Sequence, residues 1–199
     1  ITFNGARTFI GDEDITLMPI PEAEVRLMIA DAKERDYAVV VCGREEIGVY
    51  NHSKIYEDVF VKGLKVTNID VHKSIEPMLD KPVLQLTPFF STEDEELIMP
   101  AMKHCISARW NPLFTDITLQ GADKGSALLK MAAYIGIEPS ECIAFGDGGN
   151  DMSILRAAGI GVAMGNANED VQAVADYVTT SVDEDGIRNA FIHFNIIEE

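Results

Sequence analysis

The chain has 199 residues, 47% of them hydrophobic and 25% charged, with a formal net charge of −17 at pH 7. It is long enough for one large domain or two small ones, and its negative field repels a phosphate backbone, which excludes nucleic acid as an expected partner. No apolar run approaches the roughly 18 residues of a bilayer span, and the opening ITFNGART lacks the basic-then-apolar pattern of a secretory signal, so no membrane partner and a cytoplasmic location are expected. The three cysteines, Cys42, Cys105 and Cys142, are odd in number and set among apolar residues, as buried reduced thiols are. The same field repels a small phosphorylated ligand, which would therefore need local cations or a metal.

In chain order, RTFIG and DITLM flank Asp12 and Glu13 as a hairpin would, with these acids at a polar turn. PEAEVRLMIADAKERD opens with Pro21 and keeps Val25, Met28, Ile29 and Ala32 on one stripe, which predicts a helix. YAVVV, EIGVYN, KPVLQLTPF and DITLQ read as strands, and STEDEELIMPAM as a helix capped by Ser91 or Thr92 with acids in its first turn. Strands and helices in that order predict an α+β domain on a mostly antiparallel sheet, ending near residues 116–121.

From about residue 123 the pattern changes. KGSALLKMAAYIG has Leu128, Leu129, Ala132 and Ile135 on one face and Gly136 as a stop, which predicts an amphipathic helix. CIAF, GIGVAM and YVTT follow as short apolar strands separated by the helical runs NDMSILRAAG and NEDVQAVAD. Such alternation predicts an α/β, Rossmann-like parallel sheet covered on both faces.

GDGGND follows a predicted strand and precedes a predicted helix, and ligands gather at that edge of a parallel sheet. Asp147 and Asp151, with Asn150 between them, offer two hard carboxylates and an amide, which suit Mg²⁺ better than a soft metal. The spacing is not that of an EF-hand loop, and the Lys and Ser/Thr of a P-loop are absent. Lys124 lies one βα unit earlier, where a cation on the same sheet edge would hold a phosphate. Arg109 and Trp110, in SARWNPLFTD, offer a cation and a flat apolar face for a sugar, or else core packing.

DKGSALLKMAAYIGI, FGDGGNDMSILRAAGIGVAMGNA and DEDGI together resemble the C-terminal core of the haloacid dehalogenase superfamily, in particular its Cof-like (subclass IIB) sugar-phosphate phosphatases. FNGA leading into RTFIG is similar to the point where that family's chain leaves the core for its large α+β cap. The resemblance covers the whole chain and implies core residues 1–5 and 119–199 with a cap at 6–118. It implies Lys124 as the lysine that steadies the phosphoryl charge, Asp147 as a Mg²⁺ ligand, and Asn150 and Asp151 as residues that orient phosphate and the metal shell. The implied activity is Mg²⁺-dependent hydrolysis of a small phosphorylated metabolite through an aspartyl-phosphate.

The family's Asp-x-Asp-Gly-Thr nucleophile motif has only imitations. Asp12 and Asp14 precede Thr16, but Ile15 stands where the turn wants Gly; Cys42 replaces a hydroxyl in VVVCGRE; Asp183 and Asp185 precede Gly186 and Ile187 after the last strand. The expectation is that the first two βα units, on the order of 60 residues, lie upstream of Ile1, leaving this chain without a nucleophile. Three alternatives stand beside it: a phosphosugar mutase, a non-catalytic binding module, and a complete enzyme with a degenerate motif at Asp12 and Asp14.

Overall fold

The computed structural model describes residues 1–198. A turn at Phe3–Gly5 leads into β1 (Arg7–Ile10) and β2 (Glu13–Leu17), followed by α1 (Glu22–Arg35), β3 (Val39–Gly43) and β4 (Ile47–Tyr50). Then come α2 (Lys54–Tyr56), which runs on as a π-helix over Glu57–Gly63, α3 (Glu76–Leu79), β5 (Val83–Pro88), α4 (Thr92–Ile98), β6 (Cys105–Asn111) and β7 (Phe114–Leu119). The remainder alternates as α5 (Lys124–Ile135), β8 (Ile143–Gly146), α6 (Met152–Ala157), β9 (Ile160–Ala163), α7 (Glu169–Gln172), β10 (Tyr177–Val178) and α8 (Gly186–His193).

The chain forms two units, Ile1–Thr16 with the segment from Ala122 onward, and Leu17–Gly121. The crossings between them follow Thr16 and Gly121, whereas the resemblance implies crossings after residues 5 and 118. The reason is local. The β1–β2 pair and the turn before it lie against α5, and Arg7 Nε donates to Asp14 Oδ1 at 2.7 Å within the pair. Asp12 and Asp14 therefore sit in a hairpin as predicted, but in the unit that carries the parallel strands.

In that first unit β10, β9 and β8 pair in this order, both pairings parallel. Ala144, Leu155, Ala163, Ala167 and Val171 form its core. Two close approaches set its geometry. A Cβ on Gly125 would lie 2.3 Å from the Ser153 carbonyl oxygen, so glycine lets α5 pack directly on α6. Gly5 has φ +96° and a Cβ there would meet the Asp123 carbonyl oxygen at 2.3 Å, which fixes the N-terminal turn to the start of α5. α5 is capped by Asp123, whose Oδ1 accepts from Ser126 N at 2.9 Å, and ends at Gly136 with φ +76°.

The second unit is an antiparallel sheet in the order β4-β3-β5-β7-β6. Its core includes Val25, Met28, Val39, Val41, Leu86, Ile98 and Ile117. Strand β6 is not announced by the sequence, since Arg109 and Trp110 interrupt its apolar pattern, and a register shift between Ala108 and Asn111 accommodates them. Ser91 caps α4 by accepting from Asp94 N at 3.2 Å. Cys42 and Cys105 are buried and Cys142 is half-buried, all three unbridged; burial pushes the Cys42 thiol up to about 12. Burial raises the Cys105 thiol as well, so neither Cys42 nor Cys105 is a thiolate near neutral pH.

α1 is tied to the start of β6 by a nearly buried carboxylate. Glu24 Oε1 takes His104 Nδ1 at 2.6 Å and the His104 backbone N–H at 3.2 Å. Burial raises the Glu24 pKa, but the hydrogen bonds from His104 and the Cys105 thiol outweigh it and hold the group below its ordinary 4.5. A lowered carboxylate contributes stability that is present above the unfolded value and fades as pH falls through the folded one. Glu24→Gln lacks that contribution, so the stability gap between the native protein and this variant shrinks between pH 7 and pH 3. Urea unfolding across that range checks it; a gap that stays constant with pH contradicts it.

Candidate functional site

The turn after β8 is built around Asp151. Its Oδ2 accepts from the backbone N–H groups of Asp147 and Gly148, each at 3.1 Å, which folds residues 147–151 back on themselves. Glycine at 146 permits this, because a Cβ there would lie 2.4 Å from the Asp151 Cβ. The other oxygen, Oδ1, pairs with Lys124 Nζ. Lys124 opens α5, and Gly125 N donates to Ser153 Oγ at 3.1 Å, so the lysine is fixed by its helix start and by its partner. The pair is largely shielded, with Lys124 28% and Asp151 12% exposed at the side chain. It borders a cavity of about 320 Å³ lined by Ile1, the Thr2–Gly5 turn, Lys124, Phe145, Asp151 and Ile154.

Asn150 Nδ2 donates to Asn4 Oδ1 at 2.9 Å, with Asn4 in the left-handed region at φ 52°, where asparagine is tolerated. Asp147 is exposed, and its Oδ2 accepts from Asn166 Nδ2 at 3.0 Å. The turn carries Asp147, Asn150 and Asp151, and the Lys124–Asp151 pair joins it to the start of α5. Asp151, expected to bind metal, has both oxygens engaged, one by a lysine and one by two backbone N–H groups. It is placed to position Lys124 and the turn. Asp147 is the carboxylate turned outward.

Among the described residues no group of three or more His, Cys, Asp or Glu side chains gathers as a metal centre. Asp147 still has the donor chemistry that Mg²⁺ takes, since that ion keeps several waters and uses one or two carboxylates together with substrate phosphate. The fit extends to that one carboxylate.

Arg109, predicted as a substrate cation, is instead a structural hub of the second unit. Its Nε donates to Glu95 Oε2 at 2.7 Å, Nη1 to the carbonyls of Asn111, Pro112 and Phe114 at 3.2–3.3 Å, and Nη2 to the Phe90 carbonyl at 3.3 Å. Every face of the guanidinium is used within its own fold. Trp110 keeps an open surface, 49% exposed, while its Nε1 donates to the buried Asp116 at 3.0 Å and its ring stands edge-on to Phe114 at 4.7 Å. Gln85 at 3.0 Å and Thr87 at 2.7 Å complete the shell around Asp116. A smaller cavity of about 200 Å³ in this unit, by Arg44, Glu46, Met78 and Lys81, gathers no comparable chemistry: hydrogen bonds from Lys73 and Lys81 consume Glu46 and hold its carboxyl at about 2.

Asn4 and Asn166 were not singled out by the sequence. Both carry a signal in retrospect, as an Asn-Gly turn dipeptide and as a polar residue just past a strand of a parallel sheet.

The whole arrangement has close counterparts. The family model of haloacid dehalogenase-like hydrolases matches residues 1–191. The Bacillus subtilis (strain 168) protein YkrA, whose name describes a phosphatase, is 29% identical over 201 residues, covering 100% of this chain and 76% of YkrA. The solved structure of BT4131, described as a subclass IIB sugar phosphatase, superposes with a TM-score of 0.88 at 41% identity over 98% of this chain and 74% of that one. BT1666, described among the phosphatases of the same superfamily in Bacteroides thetaiotaomicron, gives 0.83 at 38% identity over 98% and 72%.

The hub geometry makes a direct forecast. Arg109→Met strands the Glu95 carboxylate and several carbonyls, and lowers stability by about 2–4 kcal/mol, measured by denaturant unfolding. Binding of inorganic phosphate to the folded fraction stays unchanged; a loss of phosphate affinity with stability intact would return Arg109 to the binding site.

Proposed function

This chain belongs to the haloacid dehalogenase-like hydrolase family, and on that premise we propose that its site serves the hydrolysis of small phosphate monoesters, sugar phosphates foremost, through an aspartyl-phosphate, with Lys124 as the cation that holds the transferring phosphoryl group; the sequence holds no Asp-x-Asp-Gly-Thr motif to supply the attacking carboxylate, so the chain alone is proposed to be inactive. The single observation that carries this reading is the Lys124–Asp151 pair beside an open cavity in a protein of net charge −17. In such a field an oriented ammonium group, pre-set by an inner carboxylate, is what an incoming phosphate needs.

Each neighbour has a role. Asp151 orients Lys124 and, through the N–H groups of Asp147 and Gly148, keeps the turn closed. Asn150, steadied by Asn4, presents its amide on the same turn. Asp147 would hold Mg²⁺, which when bound supplies Lewis-acid neutralisation of phosphoryl oxygens. Lys124 spreads the growing charge on the leaving side, and its ammonium needs no reorientation to do so. Asp14 is kept out of this mechanism by its pairing with Arg7. The likeness to the sugar phosphatase BT4131 supports the substrate class; taken by itself, the second unit presents one flat apolar surface, the exposed face of Trp110 held by Asp116 and Phe114.

The test is phosphate release from a panel of hexose and pentose phosphates by the protein, with Mg²⁺ and with chelator. Residues 1–199 alone release no phosphate above background; joined to a segment that supplies an Asp-x-Asp-Gly-Thr carboxylate they release it in a Mg²⁺-dependent way, and there Lys124→Ala lowers kcat/KM by about 10²–10³-fold with the fold retained by circular dichroism. Turnover indifferent to both would contradict the proposal, and phosphate appearing on a second sugar rather than in solution would make the protein a mutase.

A further inference from the structure

Asp147 is exposed, and an exposed aspartate samples several rotamers unless something holds it. What holds it is Asn166. Asp147 follows β8 and Asn166 follows β9, and the two strands are parallel and paired in register through Gly146 and Ala163, so both residues rise from the same sheet edge. The amide of Asn166 bridges two loops. Its Nδ2 donates to Asp147 Oδ2 at 3.0 Å, and its Oδ1 accepts from the Val182 backbone N–H at 3.0 Å, beyond the end of β10. The second bond decides the first: an amide oxygen committed to a backbone N–H leaves only the NH₂ end to face Asp147, which as a carboxylate can only accept.

The segment carrying Asn166 is itself anchored. Gly165 N donates to the Thr180 carbonyl at 3.0 Å, and a Cβ on Gly165 would lie 2.7 Å from Ser181 N, so the backbone of 165 packs directly on residues 179–181. Asn166 thus stands in the turn after the middle strand of three and ties one side chain from the first loop to the backbone of the third.

We infer that Asn166 is a positioning residue that aims the Asp147 carboxylate for Mg²⁺, and that the turn around Val182 is part of the same device. The inference rests on the proposed role of Asp147. Supporting partners of metal ligands typically govern affinity by about an order of magnitude or more when removed, and a carboxylate that must find its own rotamer binds more weakly by the same logic. Asn166 touches neither the phosphate nor the reacting atoms.

A double-mutant cycle read by calorimetric Mg²⁺ titration separates this role from simple loop support. Asn166→Ala weakens Mg²⁺ binding about 10-fold, and in the protein joined to the nucleophile-bearing segment saturating Mg²⁺ restores the rate of phosphate release. Asp147→Ala weakens Mg²⁺ binding further, and adding Asn166→Ala to it changes affinity no more. Asn166→Gln, with its amide one methylene farther out, shifts affinity in the same direction and serves where the alanine variant loses its fold. Additive losses in the double variant, or a loss of activity that Mg²⁺ does not restore, would overturn the inference while leaving Asp147 as a ligand. An Asp147→Ala variant with undiminished Mg²⁺ affinity would instead remove the reading on which it rests.

Discussion

The structure of the candidate site depends on one carboxylate turned inward. Asp151 brings three donors to two oxygens: Lys124 from the start of α5 and two consecutive N–H groups from its own turn. A nearly buried carboxylate is costly unless each lone pair is used, and here the partners that satisfy it are the parts that the proposed phosphate site uses. The lysine is oriented and the glycine-rich turn is closed. The next carboxylate along, Asp147, is left facing outward. The glycines at 125 and 146 follow from the same constraint, one allowing α5 to approach α6 and the other making room for Asp151 to fold back.

Charge then explains the economy of the site. With 33 acidic and 16 basic residues, the protein has few cations, and most of those with long side chains in the second unit are spent on intramolecular pairs, as with Arg26 to Glu22, Arg35 to Asp31 and Arg109 to Glu95. Lys124 is also paired, but its pair borders a cavity, where an arriving anion can share the ammonium with Asp151. Ion pairs stand beside other openings too, at Lys81–Glu46 and at Arg26; what sets Lys124 apart is that its partner Asp151 also closes the turn that carries Asp147 and Asn150.

Much of this was legible in the sequence. The change from an antiparallel to a parallel pattern near residue 121 is written in the apolar runs, and the GDGGND turn announces itself by its glycines and acids after a strand. The duties within the turn were not legible. Asp147 and Asp151 are the same residue type four positions apart, and only the chain reversal decides which faces in. Strand β6 was hidden because Arg109 and Trp110 look like surface residues, whereas one is consumed by carbonyls and Glu95 and the other is pinned by Asp116. The early domain crossing was misplaced because a short hairpin shows only its own alternation, while its allegiance to α5 depends on contacts between residues more than a hundred positions apart, such as Gly5 with Asp123. Asn4 and Asn166 carry only turn and strand-end signals; their pairing with Asn150 and Asp147 is decided by the same folding back of distant segments.

The central claim is that Lys124, set by Asp151, is the group that receives phosphate. It is tested most directly by a crystal structure of the protein with tungstate, a phosphate mimic whose heavy atom is located without ambiguity. The account predicts the anion within hydrogen-bond distance of Lys124 Nζ at the edge of the cavity, and no anion there in the Lys124→Ala protein. Tungstate bound elsewhere on the molecule, with Lys124 engaged by Asp151 alone, would contradict it.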